Sequence, residues 1–298
     1  MKTGRVQSIL LALRAWTTAG AVVVAVAIAP APVCAGDTLL WAVLDFPPFQ
    51  ILDGEHRNTG SFDGLLDLMI RQLPDLEHNV VAMSFARREE EIRQGSRLCT
   101  PGLFRTPARE KLLVFSRPAL IHLDNRLVIR AARANLVDSG HAVDLASLLA
   151  NRELVGGVIT DRSFAPNIDP LLQQHAQAPN VVMRSVKSSQ MFEMLMKGEI
   201  DYTILFPHEA AYLVRKLGRP DDIRTLPIAA TPAYIFTHVA CTRGEWGEGM
   251  ITRIDRILQA QMRTPEYRAL SERWYDESDK ALIRRYYPQL LAPSPPRQ

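Results

Sequence analysis

The sequence predicts an α/β protein with two similar lobes, each containing a mostly parallel sheet. Strand-like and helix-like segments alternate over residues 39–103, and the same alternation restarts after residue 130. A chain of 298 residues is long enough for two core-forming units. Its 47% hydrophobic and 22% charged residues exclude wholesale disorder. The net charge of +3 argues against a nucleic-acid binder, and three cysteines are too few for a small disulfide-built protein.

The N-terminal segment that ends at Ala35 has the composition of a secretory signal peptide. Lys2, Arg5 and Arg14 are basic, and residues 15–29 are apolar or small and carry no charge. We expect cleavage after Ala35 and export to the periplasm, which leaves a mature chain with a net charge near zero. An uncleaved membrane anchor is the alternative, but this apolar run is shorter than the roughly 20 residues that span a bilayer comfortably.

Cleavage would also remove one of the three cysteines. Cys99 and Cys241 remain, and in an oxidising compartment such a pair can form a disulfide; two buried free thiols are the alternative. A lipoprotein attached through Cys34 is disfavoured because the bulky Val33 stands immediately before it.

Three strands separated by two helices are predicted at the start of the mature chain. Residues 39–44 are apolar and end at a Pro-Pro pair, which cannot continue a strand ladder. Apolar residues recur at helical spacing over residues 65–73, and residues 87–93 form a charged helix. The other two strands are expected at residues 80–83 and 97–103, which gives the alternation typical of a parallel sheet.

A second run of the same kind follows residue 130 and is extended by a C-terminal segment. A methionine-rich stripe after Ser188 is interpreted as core, with the two serines at 188 and 189 as the helix cap. The predicted strands are residues 154–159, 179–184, 202–206 and 235–242, and the predicted helices are residues 145–149, those beginning at Ser188 and Pro207, and residues 246–261 and 265–275.

These elements divide the chain into five parts. The last segment adds a strand and helices after the second run is complete, so we expect it to return to one of the two lobes. The family resemblance described below implies that this is lobe one. The predicted parts are a signal peptide at 1–35, the N-terminal part of lobe one at 36–130, lobe two at 131–227, the return to lobe one at 228–290 and a disordered tail at 291–298.

Several short motifs, in order, resemble a known family. The most specific is Thr106-Pro107-Ala108-Arg109-Glu110, followed by Phe115-Ser116-Arg117-Pro118. Supporting motifs are Phe46-Pro47-Pro48-Phe49, Val155-Gly156-Gly157-Val158 and Gly198-Glu199-Ile200-Asp201. Together they resemble the extracellular solute-binding proteins of the amino-acid-transport type (family 3), nearest to an uncharacterised branch with a cysteine before a Pro-Gly turn.

The resemblance implies a type II periplasmic binding protein fold, in which two lobes joined by two hinge crossings close on a small ligand. The crossings would fall near residues 127–132 and 227–234. The implied partners are a small-molecule solute and either an inner-membrane permease or a sensor. We expect a monomer that binds no nucleic acid, cofactor or metal.

Candidate ligand contacts in the first lobe follow from the same resemblance. Arg109 matches the family's carboxylate-binding arginine, whose guanidinium suits two parallel hydrogen bonds to a carboxylate. Thr106 either caps the helix that carries Arg109 or contacts ligand. Phe46 matches a ligand-facing aromatic residue, and Phe85 is expected on the same wall. Phe104 replaces a small hydroxyl residue of the family and is a further candidate.

Candidates in the second lobe are Arg162 and Ser163, which follow a strand and precede a helix, a junction that can present backbone N–H groups to an anion. The family's amino-acid binders place an acid shortly after a later strand, to pair with the ligand's ammonium. Phe206 stands at that place here, and Glu209 lies on the following helix. The sequence therefore favours an anionic or aromatic solute over an ordinary amino acid.

The resemblance also places the third strand of lobe one beside the returning strand at 235–242. Cys99 lies on the first of these strands and Cys241 on the second, so the resemblance implies a disulfide between them. Residues 87–91, two arginines followed by three glutamates, are interpreted as a solvated helix face.

Two other functions remain open. Some relatives in the family are periplasmic dehydratases, and Asp45, Asp161 or Glu209 could act as the general acid or base of such an enzyme. A sensory module that has lost its ligand is the third possibility. A cleft filled by phenylalanine side chains would favour that function.

Overall fold

The computed structural model describes most of the chain from Thr38 to Ala292. The gaps within that range are residues 138–139, 161, 165–166 and 219–221. The predicted signal peptide and all but the first two residues of the predicted tail lie outside the described residues. Within the described part, no helix has the length and apolar character needed to cross a membrane.

Strands and helices alternate as the hydrophobic periodicity predicts. The strands are β1 (Thr38–Leu44), β2 (Glu77–Met83), β3 (Leu98–Leu103), β4 (Leu113–Leu123), β5 (Arg126–Arg130), β6 (Gly156–Ile159), β7 (Val181–Arg184), β8 (Tyr202–Leu205), β9 (Ile223–Pro227) and β10 (Tyr234–Thr242). The helices are α1 (Ser61–Gln72), α2 (Phe85–Arg93), α3 (Pro107–Glu110), α4 (Leu145–Ala150), α5 (Asp169–Gln174), α6 (Ser188–Lys197), α7 (Pro207–Leu217), α8 (Glu245–Gln261), α9 (Pro265–Glu272) and α10 (Glu277–Leu290).

The strands form two five-stranded sheets, which confirms the predicted α/β architecture with two lobes. The first sheet has the order β2-β1-β3-β10-β4, with β1 parallel to β2 and β3 and with β10 antiparallel to both its neighbours. The second sheet has the order β7-β6-β8-β5-β9, with β6 parallel to β7 and β8 and with β5 antiparallel to β8 and β9. We call the two sheets with their helices lobe one and lobe two.

The chain crosses between the sheets twice. It leaves the first sheet after Leu123 and enters the second at Arg126, and it returns between Pro227 and Tyr234. The return coincides with the predicted second crossing. The first crossing lies earlier than predicted, because β5 already pairs with β8 and β9 of the second sheet.

The boundary predicted at residue 131 therefore falls after the first strand of the second sheet. Residues 113–130 form a long, largely apolar stretch in which only Asp124 and Asn125 separate two strands. Both of these polar residues are buried, so the crossing lacks the exposed, polar composition by which a linker is recognised.

The sequence patterns do not predict helix α10. Asp276 caps it by accepting a hydrogen bond from the backbone N–H of Asp279 at 2.8 Å. Its apolar face buries Ile283, Tyr287 and Leu290 in the core of lobe one. The helix carries many charges and contains a proline at 288, so its composition resembles that of the polar tail that follows it.

A disulfide joins the two strands at the centre of the first sheet. Cys99 on β3 and Cys241 on β10 are in register across an antiparallel pair, with their Cα atoms 4.0 Å apart. Both cysteines are fully buried. The structure thus confirms the predicted bridge, which fixes the returning strand to lobe one.

Candidate functional site

A cavity of about 320 Å³ lies where the carboxyl ends of strands from both sheets meet. In α/β sheets this edge is where ligands bind, since loops that follow neighbouring strands converge there. Lobe one contributes the segments after β1 and β3 together with α2, and lobe two contributes the segments after β6 and β8. Six of the seven predicted ligand contacts line the cavity: Phe46, Phe85, Phe104, Arg109, Arg162 and Ser163.

The loop after β1 is held in place by Gln50 and carries two of the aromatic rings. The amide oxygen of Gln50 accepts a hydrogen bond from the backbone of Leu44 at 2.9 Å, and its backbone pairs with that of Phe46. The Phe46 and Phe49 rings stack 4.9 Å apart. Phe49 is buried, and it also reaches the cavity.

Aromatic side chains wall the cavity without filling it. The Phe46 and Phe85 rings meet edge to face at 5.9 Å on one side, and Phe104 and Phe206 lie 6.1 Å apart on another. The space left between them is large enough for a small organic molecule. A ligand-free module with a blocked cleft is therefore not what this geometry favours.

Arg109 lies at the cavity wall, on the short helix α3. Its Nη1 donates a hydrogen bond to the carbonyl of Phe104 at 3.2 Å, which directs the side chain back toward the cavity. The Thr106 hydroxyl accepts a hydrogen bond from the backbone N–H of Arg109 at 3.4 Å, so it caps the helix. Thr106 is outside the set of residues that line the cavity, and its contact with ligand stays a prediction.

The structure contradicts the interpretation of Arg88 as part of a solvated helix face. Its side chain is only 2% exposed, and its Nη2 lies 2.8 Å from Oε1 of Glu89. It lines the cavity together with Glu89. Phe85, Arg88 and Ile92 lie on one side of α2 at spacings of three and four residues, which is a helical face that the run of charges obscures.

The Glu89 carboxylate interacts with both Arg88 and Arg109. Nη2 of Arg109 lies 3.9 Å from Oε1 of Glu89, the atom that already binds Arg88. Burial lowers the pKa of Arg109, and the neighbouring Arg88 guanidinium lowers it further. Burial also lowers the pKa of Arg88. The carboxylates of Glu89 and, from lobe two, Asp169 act in the opposite direction and raise the pKa of Arg109.

Arg162 enters the cavity from lobe two and is paired with Glu209. Its Nη1 lies 2.9 and 3.0 Å from the two carboxylate oxygens of Glu209, and both side chains are almost completely buried. Its guanidinium carbon lies about 5 Å from three ring centroids, at 5.0 Å for Phe46, 4.9 Å for Phe164 and 5.1 Å for Phe206. Such aromatic faces stabilise a buried cation.

Ser163 lines the cavity, but the junction predicted around it has a different structure. Helix α5 begins at Asp169, six residues later than the predicted junction. The Ser163 hydroxyl donates to Oδ2 of Asp169 at 2.5 Å, and the backbone N–H of Phe164 donates to Oδ1 at 2.8 Å. Asp169 thus organises this segment, and the described residue that follows Ser163, Phe164, does not begin a helix.

The acids proposed for an enzyme are held in ion pairs or lie outside the described residues. Glu209 also accepts hydrogen bonds from the Ser188 hydroxyl and from the backbone of Phe206. Asp45 lies 2.5 Å from Nζ of Lys187, across the cleft. Asp161 is one of the undescribed residues.

The structure also corrects the predicted cap of α6. The N-cap residue is Lys187 rather than Ser188 or Ser189, and the Ser188 hydroxyl binds Glu209 instead.

Two buried histidines lie beside the cleft, close to the first crossing. His122, near the end of β4, stacks on His208, in the first turn of α7, with ring centroids 5.6 Å apart. His122 bonds to the Thr237 hydroxyl at 3.1 Å, whereas neither ring nitrogen of His208 has a hydrogen-bond partner in the protein. Desolvation lowers the pKa of His122 to about 3 and that of His208 well below its ordinary value.

The sequence analysis missed the burial of Arg88 and the side-chain pairs that form between distant segments. Glu209 is 47 positions from Arg162, and His122 is 86 positions from His208, so neither pair is visible as a motif. Among the residues that the structure describes, no group of three or more His, Cys, Asp or Glu side chains is placed to hold a metal ion.

The profile of one protein family, the bacterial extracellular solute-binding proteins of family 3, matches residues 40–277. No curated protein matches the chain. Three solved structures that match about four-fifths of the chain are described here, and because each is less than 25% identical to it, the likeness shows the fold alone.

One such structure is the periplasmic VFT2 domain of BvgS from Bordetella pertussis, with 22% identity, 80% of this chain and 93% of that chain covered, and a TM-score of 0.59. Another is an amino acid ABC transporter substrate-binding protein, AbpA, from Streptococcus pneumoniae bound to L-arginine, with 18% identity, coverage of 82% and 96%, and a TM-score of 0.61. A third is an ancestral amino acid-binding protein, a precursor of cyclohexadienyl dehydratase, with 15% identity, coverage of 81% and 96%, and a TM-score of 0.60.

Proposed function

Since the chain belongs to the bacterial extracellular solute-binding proteins of family 3, we propose that it closes on a small organic anion with an apolar or aromatic part. The observation that carries this proposal is the sharing of Glu89 by Arg88 and Arg109 at the wall of an aromatic cavity. Glu89 lies 3.9 Å from Arg109, too far for a hydrogen bond, so the Arg109 guanidinium can hold a ligand carboxylate with charge-assisted hydrogen bonds.

Closure of the two lobes provides the other half of the mechanism. Arg162 of lobe two already contacts Phe46 of lobe one, and Lys187 pairs with Asp45 across the cleft. A ligand that adds contacts to both lobes favours the closed state over the open one by its differential affinity. The pair formed by Lys187 and Asp45 is exposed, so it contributes little by itself.

We place this function in the periplasm, after removal of the signal peptide that the N-terminal composition indicates. The closed protein would deliver its solute to a membrane permease or present it to a sensor. Both uses require the same ligand-dependent closure. Transport and sensing therefore differ in the partner that the closed protein binds, and not in any feature of the cleft.

A thermal-shift screen of the purified protein tests the proposal. The panel contains aromatic and aliphatic monocarboxylates, dicarboxylates, amino acids and uncharged analogues of each acid. A ligand at about 100 times its Kd stabilises the folded state by about 2.7 kcal/mol, which raises the Tm by several degrees. We expect shifts with carboxylates that carry an apolar group, and none with their uncharged analogues. A folded protein that responds to none of the carboxylates would contradict the proposal.

A dehydratase-like enzyme is the alternative, and the structure gives it less support. Glu209 is committed to Arg162 and Ser188, and Asp45 points to Lys187. Neither carboxylate lines the cavity. Conversion of a cleft ligand to a product, detected by chromatography after overnight incubation, would favour the enzyme.

A further inference from the structure

Arg162 lies where the two lobes meet. It belongs to lobe two, but its guanidinium carbon lies 5.0 Å from the centroid of the Phe46 ring, which belongs to lobe one. The rings of Phe164 and Phe206, both in lobe two, lie at 4.9 and 5.1 Å. The Arg162 side chain is only 5% exposed, so its charge is largely shielded from water. A shielded cation is attracted to aromatic faces more strongly than an exposed one.

Glu209 holds the guanidinium of Arg162 in this orientation. Its two carboxylate oxygens accept hydrogen bonds from Nη1 of Arg162 at 2.9 and 3.0 Å. Glu209 is itself held by the Ser188 hydroxyl and by the backbone N–H of Phe206, which also belong to lobe two. Arg162 is therefore fixed to its own lobe, and separation of the lobes would take Phe46 away from it.

Phe206 adds a second aromatic contact between the lobes at the same place. It follows β8 of lobe two, yet it is 1% exposed and packs in the core of lobe one. Its ring lies 5.2 Å from the ring of Phe49 and 6.1 Å from that of Phe104. Opening of the cleft would expose these rings and the face of Arg162 to water, and exposure of apolar surface opposes opening.

We infer that stacking of Arg162 on Phe46 holds the cleft closed, and that Glu209 is the residue that positions Arg162 for it. The inference rests on the closure that the proposed function includes, and it gives Arg162 a role that needs no contact with the solute. Phe46 then has two roles, because it also lines the cavity. The stacking favours the closed state before a solute binds, so the solute has less free energy to supply for closure.

Double electron–electron resonance between spin labels on the two lobes tests this inference without a ligand. The labels are attached at Gln72→Cys on α1 and Glu193→Cys on α6, two exposed positions in different lobes. Phe46→Leu keeps an apolar wall without an aromatic face, and Arg162→Lys keeps the charge beside Glu209 without the flat guanidinium. We expect each change to lower the ratio of closed to open molecules about tenfold. The double variant should be no more open than either single variant, because both changes remove the same contact.

Phe46→Tyr and Phe85→Leu are the matched controls. Phe46→Tyr keeps an aromatic face for Arg162. Phe85→Leu removes the neighbouring ring, which meets Phe46 edge to face at 5.9 Å and has its own face toward Arg88, at 5.5 Å. Both controls should keep the ratio of closed to open molecules near that of the unmodified protein.

Two outcomes would overturn the inference. One is a set of distances that is the same in every variant, and the other is additive opening in the double variant, which would mean that Arg162 and Phe46 act independently. Circular dichroism shows that each variant compared is folded. Because no solute is present, a thermal-shift screen in which no carboxylate binds would contradict the proposed function and leave the stacking of Arg162 on Phe46 as it stands.

Discussion

Arg88 and Arg109 lie on either side of one carboxylate oxygen, Oε1 of Glu89, at 2.8 and 3.9 Å. The two arginines come from different elements, α2 and α3, which only the folding of lobe one brings together. The 3.9 Å separation is too long for a hydrogen bond, so Arg109 is not tied to Glu89 by one and can turn to the carboxylate of a ligand. This relationship explains why a cavity lined by phenylalanine rings is expected to recognise a charged molecule.

Arg109→Gln is predicted to weaken binding of a carboxylate ligand by about 10- to 100-fold, since a charge-assisted hydrogen bond contributes about 1.5–3 kcal/mol. Arg105→Gln is the control, because Arg105 pairs with Glu110 and is not among the residues that line the cavity. Titration of both variants with the tightest carboxylate from the screen gives the comparison. Equal losses in the two variants would show that Arg109 has no special role.

Arg88→Met is predicted to weaken anion binding by about tenfold while leaving the free energy of unfolding nearly unchanged. Methionine keeps much of the apolar contact of the arginine stem, and Glu89 can still interact with Arg109. Arg87→Met, at an exposed neighbouring position, should change neither quantity. The measurements are calorimetric titration and urea unfolding. A large loss of stability with unchanged affinity would mean that Arg88 serves the core and not the site.

Removal of the disulfide is predicted to lower the free energy of unfolding by about 5 kcal/mol in the chain-entropy model. The bridge closes a loop between residues 142 positions apart, and the constraint acts mainly on the unfolded chain. Urea unfolding of the Cys99→Ala/Cys241→Ala variant against the oxidised protein measures the difference. A loss below about 1 kcal/mol would contradict this estimate.

The unfolding free energy is predicted to fall as the pH is lowered from 7 to 5. His122 and His208 have depressed pKa values in the folded protein, so only the unfolded chain takes up their protons as the pH drops below about 6.5. Each histidine lowers the free energy of unfolding by about 2 kcal/mol between pH 7 and pH 5. Asp124, whose pKa burial raises to about 6, acts in the opposite direction because the folded state binds its proton first.

His122→Gln isolates the histidine contribution, since Asp124 acts equally in the variant and in the unmodified protein. Between pH 7 and pH 5 the free energy of unfolding of the variant should fall by about 2 kcal/mol less than that of the unmodified protein. Urea unfolding at both pH values measures this difference. His56→Gln, at an exposed position, should behave like the unmodified protein. The same pH dependence in all three proteins would refute the assignment to His122.

The fold could be predicted well from the sequence because its signals are local. Each parallel strand is a short apolar run, and each helix has an apolar face, so the alternation over β1, α1 and β2 is visible without tertiary information. The first crossing could not be placed correctly, because Asp124 and Asn125 are buried polar residues with no linker composition.

Part of the candidate site was predictable because motifs that resemble the family carry it. Arg109 and Phe46 stand in motifs that resemble the family, and both line the cavity. Arg88 was obscured by the charges around it, and its burial results from packing against the rest of lobe one. Arg162 and Glu209 lie in segments that are distant along the chain. The sequence therefore could not show that these two side chains neutralise each other's charge.

The proposed function depends on recognition of the negative charge of a small apolar acid by the cleft. Calorimetric titration of the purified protein with 3-phenylpropanoate and with its neutral amide, 3-phenylpropanamide, isolates that charge, since the two ligands have nearly the same shape. We expect the acid to bind at least about tenfold more tightly than the amide, a difference of about 1.4 kcal/mol. Equal affinities, or tighter binding of the amide, would contradict it.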